Sequence, residues 1–386
     1  MENKPVRTTT LQYGKQHIDE ADINAVVEVL RGDYLTTGPY VTAFEEELKQ
    51  TTGVKYAIAI SNGTTALHVA CQSIGIGAGG EVITTPLTFA ASANCVLYCG
   101  GTPVFADIDP NTMQIDIADI ERKITPRTKA IIVVDYAGEV AYTKELRKLA
   151  DKHGLYIIED AAHSIGSTYY GKPVGSLADI TTFSFHPVKT ITTGEGGAVV
   201  TNNSDIYEKL KLFRMHGITR DASLLQNKKE GPWYYEQLEL GNNYRMTDFQ
   251  AALGTTQLDK LAMFKQKRAD IVNRYNEIFA DWKEFDVLQR PVGSDAARHL
   301  YPILLNTNNR RQIFEALQAE GIGVNVHYIP VYYFPYYEKL GYKKGLCPVA
   351  EATYERLISL PLYPDMTDND VNDVVAALRK VFGKNE

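Results

Sequence analysis

Short apolar runs alternate along this chain with segments in which apolar residues recur every three or four positions. The runs are rich in isoleucine and valine and predict buried strands at residues 56–60, 81–86, 104–110, 130–135, 155–158, 180–185 and 198–200. The helical spacing predicts helices at residues 18–30, 41–50, 142–153 and 204–216. Strands that alternate with helices favour parallel pairing with right-handed crossovers, so the sequence predicts an α/β fold with a mostly parallel central sheet.

The pattern changes towards the C-terminus. A predicted helix over residues 248–280 leads to strands at 299–305 and 324–328 and to helices at 310–320 and 368–382. We therefore expect two domains in the 386 residues, a large domain over residues 1–281 and a small α+β domain over residues 282–386.

Two chemically active side chains follow strands of the predicted sheet. Asp160 comes at the end of one strand, and Lys189 lies in a loop between the next two, which closes with Gly194-Glu195-Gly196-Gly197. The carboxyl ends of the strands form the ligand-binding edge of an open α/β sheet, so we expect the two side chains to meet there. In pyridoxal phosphate (PLP) chemistry a lysine amine condenses with the cofactor aldehyde and an aspartate keeps the pyridine nitrogen protonated. Each residue alone also fits a structural role, as a solvated loop lysine or a turn aspartate, and the combination favours the cofactor.

A turn of small residues supplies a candidate phosphate site. Ser61-Asn62-Gly63-Thr64-Thr65 joins a predicted strand directly to a helix, and backbone amides at a helix N-terminus attract anions. Ser61 or Asn62 also fits as an N-cap, which is compatible with a bound phosphate.

Phe89 follows the predicted strand at 81–86, close to a helix start. An aromatic ring at this junction can stack on a pyridine ring, and a core phenylalanine is the alternative.

Three longer motifs carry a family resemblance. Glu159-Asp160-Ala161-Ala162-His163, Phe183-Ser184-Phe185-His186-Pro187-Val188-Lys189 and Thr193-Gly194-Glu195-Gly196-Gly197 resemble the signature of the DegT/DnrJ/EryC1/StrS family, fold-type I aminotransferases that aminate nucleotide-linked keto sugars. The resemblance extends from about Tyr13 to the C-terminus. Together with Asp135-Tyr136-Ala137-Gly138, the second motif most resembles members that aminate a UDP-linked 4-keto-6-deoxy-N-acetylhexosamine in pseudaminic acid biosynthesis.

The resemblance implies a role for each matched residue. Lys189 would hold PLP and serve as the catalytic acid and base, and Asp160 would face the pyridine nitrogen. Asn243 would reach the cofactor phosphate of the other subunit, so the resemblance implies a homodimer with shared active sites. The implied cofactor contacts are Gly63, Thr64, Thr65, Phe89, Asp160, His163, Ser184, Lys189 and Asn243, and the implied sugar contacts are His186, His327 and Tyr328.

The implied activity is transfer of the amino group of L-glutamate to the C4 ketone of the UDP-linked sugar. The sequence leaves open the stereochemistry of the sugar and the preferred donor, and another nucleotide-linked 4-keto or 3-keto sugar is the nearest alternative. The related sugar dehydration is disfavoured because a histidine replaces the lysine in those relatives. A non-catalytic regulatory protein on the same fold would be marked by loss of Lys189 or Asp160, and both are present.

Net charge, apolar content and cysteine spacing exclude some classes of partner and some cellular locations. The net charge is -7 and no polybasic cluster occurs, which argues against a nucleic-acid surface. No apolar stretch approaches the roughly 18 residues of a membrane span, and the first ten residues lack the apolar segment of a signal peptide. The cysteines form no Cys-x-x-Cys pair, so we expect core positions for Cys71, Cys95, Cys99 and Cys347. We expect a cytoplasmic protein with no metal site and no nucleic-acid or membrane partner.

Overall fold

A computed structural model describes residues 4–384 of the chain. The helices are α1 (Glu20–Arg31), α2 (Pro39–Thr52), α3 (Gly63–Ser73), α4 (Ala91–Tyr98), α5 (Ile117–Lys123), α6 (Lys144–His153), α7 (Ser204–Arg214), α8 (Asp248–Asp259), α9 (Leu261–Phe279), α10 (Arg310–Ala319), α11 (Pro335–Lys339), α12 (Pro348–Arg356) and α13 (Asp368–Phe382). The strands are β1 (Tyr56–Ile60), β2 (Glu81–Thr84), β3 (Thr102–Phe105), β4 (Thr128–Val134), β5 (Tyr156–Asp160), β6 (Thr168–Tyr169), β7 (Lys172–Pro173), β8 (Ile180–Ser184), β9 (Gly197–Thr201), β10 (Ile218–Thr219), β11 (Glu236–Gln237), β12 (Phe285–Val287), β13 (Ser294–Asp295), β14 (Tyr301–Leu305) and β15 (Leu357–Leu360).

The central sheet has seven strands in the order β1-β9-β8-β5-β4-β2-β3. The pairs among β3, β2, β4, β5 and β8 are parallel, and β9 is antiparallel to both of its neighbours. The prediction of a mostly parallel sheet is confirmed. The reversal at β9 has a local cause: no helix lies between β8 and β9, and without a crossover the chain returns beside β8 in the opposite direction. This return loop carries Lys189.

Both faces of the central sheet are buried. Alternate residues of β4 and β5 point to opposite faces, so Ile131 and Ile157 pack in one apolar cluster while Ile132 and Ile158 pack in another. Each such side chain stabilises the fold by about 1.5–3 kcal/mol relative to exposure. The continuous apolar runs of the sequence are therefore those of a sheet covered on both sides.

The C-terminal part builds a core of its own. The antiparallel sheet β12-β14-β15 packs with α10, α13 and the end of α9, where Tyr275 and Phe279 meet Tyr301. Leu11 from the N-terminal segment joins this cluster. The predicted domain boundary at residues 281/282 stays a prediction.

Two predicted secondary-structure elements differ from the structure. The predicted helix over 248–280 is two helices, α8 and α9, which meet at Lys260. The predicted strand at 324–328 was wrong, because only Asn325 pairs there, with Ser359 of β15. Cys71, Cys95 and Cys347 are buried as expected, whereas Cys99 is only half-buried, and all four are free thiols.

Within residues 4–384, no helix has the length and apolar composition that a membrane span requires.

The junction of α8 and α9 is fastened to α1 by a buried ion pair. Asp22 of α1 is 1% exposed, and its carboxylate accepts hydrogen bonds from Lys260 Nζ at 2.7 Å and from Gln257 Nε2 at 3.0 Å. Lys260 Nζ also donates to Asp19, the N-cap of α1, at 2.6 Å. The lysine therefore holds the start of α1 against the point where the helical direction changes.

We expect Lys260→Met to lower the free energy of unfolding by about 3 kcal/mol, because removing one member of a buried pair leaves the other charge uncompensated. Urea unfolding followed by circular dichroism measures the change. Lys209→Met, on the exposed surface of α7, is the matched control, with an expected effect within about 0.5 kcal/mol. The double variant Asp22→Asn/Lys260→Met should recover part of the loss, and equal stability of Lys260→Met and its control would contradict the anchoring role.

Candidate active site

A cavity of about 880 Å³ opens at the carboxyl end of the central sheet. Its wall combines the ends of β4, β5 and β8, the start of α3, the segment before α4 and the irregular segment at 325–329. The predicted site residues that line it are Gly63, Thr64, Thr65, Phe89, Asp160, His163, Ser184, His186, Lys189, His327 and Tyr328. The structure thus brings together residues that lie more than 260 positions apart in the sequence.

The start of α3 forms one corner of the cavity. Asn62 is the N-cap: its Oδ1 accepts a hydrogen bond from the Thr65 amide at 2.9 Å, and the Thr65 hydroxyl closes the capping box. Within residues 4–384, the amides of Gly63 and Thr64 donate to no protein acceptor. Two free amides at a helix N-terminus suit a phosphate, whereas the amide and hydroxyl of Thr65 are already used by the cap.

Ser184 completes this corner from the end of β8. A Cβ on Gly63 would lie 2.7 Å from Ser184 Cβ and 3.0 Å from its Oγ, so only glycine allows the strand end to approach the helix start this closely. The serine hydroxyl therefore lies beside the two free amides, and the corner has the donors that an anion requires.

Asp160, the last residue of β5, is buried with two hydrogen-bond donors. Its Oδ2 accepts from Ser92 Oγ at 2.6 Å and its Oδ1 from the Ala162 amide at 3.2 Å. Burial raises the pKa of Asp160 above its ordinary value, and the two donors and the charge of Lys189 oppose the rise. Because burial destabilises the negative charge of this carboxylate, a positive group beside it, such as a protonated ring nitrogen, stabilises the charged form.

Lys189 lies in the loop between β8 and β9. The ends of this loop are tied by hydrogen bonds from the Phe185 amide to the Gly196 carbonyl at 2.8 Å and from the Thr193 amide to the Phe185 carbonyl at 3.0 Å. Burial lowers the pKa of Lys189 to about 8, against the opposing charge of Asp160. The unprotonated fraction of the amine near neutral pH is therefore much larger than for an ordinary lysine, which favours a nucleophilic role.

Two further side chains, His163 and His327, stay neutral in the cavity wall. The Nε2 of His163 lies 3.0 Å from the Tyr328 hydroxyl, and burial, with the charges of Lys189 and His327, holds the pKa of His163 well below its usual value. The ring nitrogens of His327 lie 2.9 Å from Ser359 Oγ and 3.2 Å from Asn325 Nδ2. Burial and the nearby Lys189 lower the pKa of His327 to about 4.

Phe89 and His186 lie at the rim. Phe89 is 63% exposed, and its ring centroid is 6.5 Å from that of Tyr328, so one face of the ring is open to the cavity. His186 is exposed. Both positions are accessible to a ligand that enters from solvent.

Asn243 lies outside this cavity. It forms an isolated antiparallel bridge with Met215, and its side chain is exposed. Within one chain, the structure therefore does not bring Asn243 together with the other predicted residues.

Other cavity residues were absent from the sequence prediction. Ser92 follows Phe89 by three positions, so a search one helical turn beyond the predicted stacking residue would have found the hydroxyl that holds Asp160. His299 and Tyr13 also line the cavity and carry no local signal, because their segments reach it through tertiary packing.

The cavity has the groups that PLP requires: the amine of half-buried Lys189 with its lowered pKa, the buried carboxylate of Asp160, and the corner formed by Gly63, Thr64 and Ser184, whose donors suit an anion. The family model described as the DegT/DnrJ/EryC1/StrS aminotransferase family matches residues 16–379 of the chain. A UDP-4-amino-4,6-dideoxy-N-acetyl-beta-L-altrosamine transaminase of Campylobacter jejuni is 40% identical over 97% of this chain and 98% of its own length.

Solved structures agree over nearly the whole chain. Helicobacter pylori PseC, an aminotransferase involved in the biosynthesis of pseudoaminic acid, is 37% identical with a TM-score of 0.90, covering 98% of this chain and 100% of its own. The PLP form of Spr1654 from Streptococcus pneumoniae is 32% identical with a TM-score of 0.90, covering 97% of this chain and 99% of its own. The chain belongs to the DegT/DnrJ/EryC1/StrS aminotransferase family and is a PLP-dependent sugar aminotransferase.

Proposed function

We propose that this enzyme transfers the amino group of L-glutamate to the C4 ketone of a UDP-linked 4-keto-6-deoxy-N-acetylhexosamine, a step of pseudaminic acid biosynthesis. The observation that carries the reaction is the presence of Lys189 and Asp160 in one cavity with the phosphate corner of Gly63, Thr64 and Ser184. The choice of sugar is supported by the similarity to the Campylobacter jejuni transaminase and to PseC over almost their full lengths.

The residues divide the work of binding the cofactor. The amides of Gly63 and Thr64 and the hydroxyl of Ser184 bind its phosphate, while Thr65 holds the helix start in shape through the cap. The carboxylate of Asp160, oriented by hydrogen bonds from Ser92 and Ala162, would keep the ring nitrogen protonated. When bound, PLP draws electrons away from the amine-bearing carbon, which makes its proton acidic.

Lys189 has two tasks at one atom. Its Nζ would hold the cofactor until the amino donor displaces it, and the freed amine would then accept the proton from the α-carbon of the donor and later deliver a proton to C4 of the sugar. The lowered pKa suits both tasks, because the amine must be unprotonated to attack and to accept a proton near neutral pH.

The proposed sugar contacts differ in how they can act. His186 is exposed and free to offer its ring nitrogens to a ligand. His327 and Tyr328 already use their polar atoms on Ser359, Asn325 and His163, so they would meet the sugar with their ring surfaces. His163, with a neutral ring beside Asp160, would contact the ring oxygen of the cofactor.

The substrate proposal is tested by supplying PLP-loaded enzyme and L-glutamate with a panel of nucleotide-linked 4-keto and 3-keto sugars and identifying the products by NMR. The expected product is a UDP-linked 4-amino-4,6-dideoxy-N-acetylhexosamine, with kcat/KM highest for the 4-keto-6-deoxy-N-acetyl substrate. UDP-N-acetylglucosamine, which has no ketone, is the negative control. A higher kcat/KM for another keto sugar, or amination at C3, would contradict the proposed substrate and leave the aminotransferase activity intact.

We expect Lys189→Ala to abolish turnover while the free energy of unfolding changes little, because the variant loses the amine that holds the cofactor and moves the proton. Borohydride reduction followed by mass spectrometry should place PLP on Lys189 in the native enzyme and on no residue of the variant. Lys209→Ala, on the surface of α7, is the control and should retain full labelling and activity. Retained turnover in Lys189→Ala, or labelling at another lysine, would overturn the assignment.

We also propose that the enzyme is a homodimer whose subunits share their active sites. Asn243 is exposed and outside the cavity of its own chain, as a residue that serves a partner would be. Apolar side chains near the N-terminus are also left open to solvent: Ile23, Leu30, Tyr34 and Leu35 are 46%, 55%, 59% and 49% exposed. A cytoplasmic location stays a prediction from the sequence.

Mixed dimers test whether Asn243 acts across the interface. Asn243→Ala homodimers should bind PLP about 10- to 100-fold more weakly, the cost of one hydrogen bond to a charged group. A Lys189→Ala chain still carries Asn243, and an Asn243→Ala chain still carries Lys189. Heterodimers formed by subunit exchange should therefore regain one complete site and more activity than either homodimer. If they do not, while Asn243→Ala homodimers are impaired, Asn243 acts within its own subunit.

A further inference from the structure

His299 is a buried side chain of the cavity wall to which the proposed reaction assigns no role. It lies two residues before β14, is 4% exposed, and packs its ring against that of His163 with centroids 4.3 Å apart and an angle of 39° between the planes. His163 in turn bonds Tyr328 through its Nε2 at 3.0 Å. His299, His163 and Tyr328 therefore form a continuous row of rings along the cavity wall.

The backbone is built to bring the two imidazoles together. Gly138 lies between them with φ +92°, and a Cβ there would lie 3.0 Å from the His163 carbonyl oxygen and 3.1 Å from the His299 amide nitrogen. The His299 amide donates to the Ala137 carbonyl at 2.9 Å. Only glycine tolerates both this conformation and this crowding, so the approach of the two histidines is specified by the sequence.

Burying the two imidazoles costs free energy, because each has a polar atom without a hydrogen-bond partner. Both Nδ1 atoms are buried, and within the described residues neither has a hydrogen-bond partner. An unsatisfied buried polar atom costs roughly 1–3 kcal/mol, which a leucine or phenylalanine of similar volume would avoid. The two rings are therefore held together by packing, and no Nδ1 hydrogen bond within the described residues fixes either of them.

Several groups keep the rings uncharged. His299 faces His163, Lys189, Arg268 and His327, and burial, followed by these neighbours, holds its pKa well below the usual value. Arg268 Nη1 also lies 3.4 Å from the His299 carbonyl oxygen, which it approaches as a donor, and 2.9 Å from that of Leu362. The charged neighbours Lys189 and Arg268 disfavour a proton on the His299 ring, and Lys189 does the same for His163. The carboxylate of Asp160, which lines the same cavity, is the anionic group that acts in the opposite sense.

We propose that His299 is a positioning residue of the amino-transfer site, whose ring packs behind His163 and holds it where the Tyr328 hydroxyl reaches it. The inference rests on the proposed role of His163 at the cofactor. Without this support the His163 ring is free to rotate into the cavity and to take up a proton beside Lys189. A second positive charge there would disturb the opposition of Lys189 and Asp160.

Histidine-selective NMR tests the proposal. The chain has eight histidines, so the ¹³Cε1 signals can be assigned by single substitution and titrated in the PLP-loaded enzyme and after cofactor removal. In His299→Ala, water enters beside His163, and its titration midpoint should move up towards the ordinary value of about 6.5. The kcat should fall about 10- to 100-fold, as expected when a catalytic neighbour is displaced, with the KM for glutamate changed less than kcat.

His299→Phe is the conservative variant, since it refills the volume with a planar ring. It should return the His163 titration to that of the native enzyme and recover most of kcat. His68, which is half-buried outside the cavity wall, is the internal reference and should titrate alike in all variants. If His299→Ala does not fold, His299→Leu replaces it, because leucine fills the space without a flat ring.

An unchanged His163 titration in His299→Ala would overturn the proposal, as would a His299→Phe enzyme as impaired as His299→Ala. A different result would contradict the proposed role of His163 at the cofactor. If His163→Leu, which has no hydrogen-bonding group, retains native kcat, the role of His163 is wrong, whereas the titration measured after cofactor removal still tests whether His299 positions its ring.

Discussion

The buried carboxylate of Asp160 is the group on which the rest of the site depends. Burial disfavours its charged form, and the hydrogen bonds from Ser92 and Ala162 only partly offset that penalty. A positive charge opposite the carboxylate is therefore stabilised strongly. Lys189 supplies one such charge, and a protonated pyridine nitrogen supplies another. The same burial lowers the pKa of Lys189 to about 8, so one low-dielectric cavity prepares both the electron sink and the nucleophile.

The topology of the sheet delivers these groups to one place. β4, β5 and β8 are parallel, so their carboxyl ends share an edge, and Asp160 and Ser184 both come from that edge. The return to antiparallel β9 then needs a loop that stays at the edge, and Lys189 lies in it. A helical crossover at this point would have carried the chain away to the opposite end of the sheet. The single reversed strand is thus what keeps the lysine beside the carboxylate.

Sequence reasoning reached the parts of the site that are encoded locally. Asp160 follows an apolar run and Lys189 precedes glycines, so strand ends and loops could be predicted, and the motifs around them carried the family. Ser92 and His299 could not be predicted as site residues, because their roles depend on contacts between segments that are distant in the sequence. The single predicted helix over 248–280 failed for a similar reason, since the break at Lys260 is held by Asp22 of α1 and has no glycine or proline to mark it. The role of Asn243 rests on the resemblance alone, because no local pattern points to another subunit.

The irregular segment at 325–328 shows why a β-branched, polar pattern need not become a strand. Asn325 exchanges backbone hydrogen bonds with Ser359 at the edge of the small sheet, and the chain then leaves that sheet. Tyr136, in the turn that follows β4, donates its hydroxyl to the His327 carbonyl at 2.5 Å, and the Tyr328 hydroxyl lies 3.0 Å from His163 Nε2. Regular pairing would have turned alternate side chains away from the cavity. Because the segment does not continue as a strand, both His327 and Tyr328 line the cavity, and the same residues connect the C-terminal core to the central sheet.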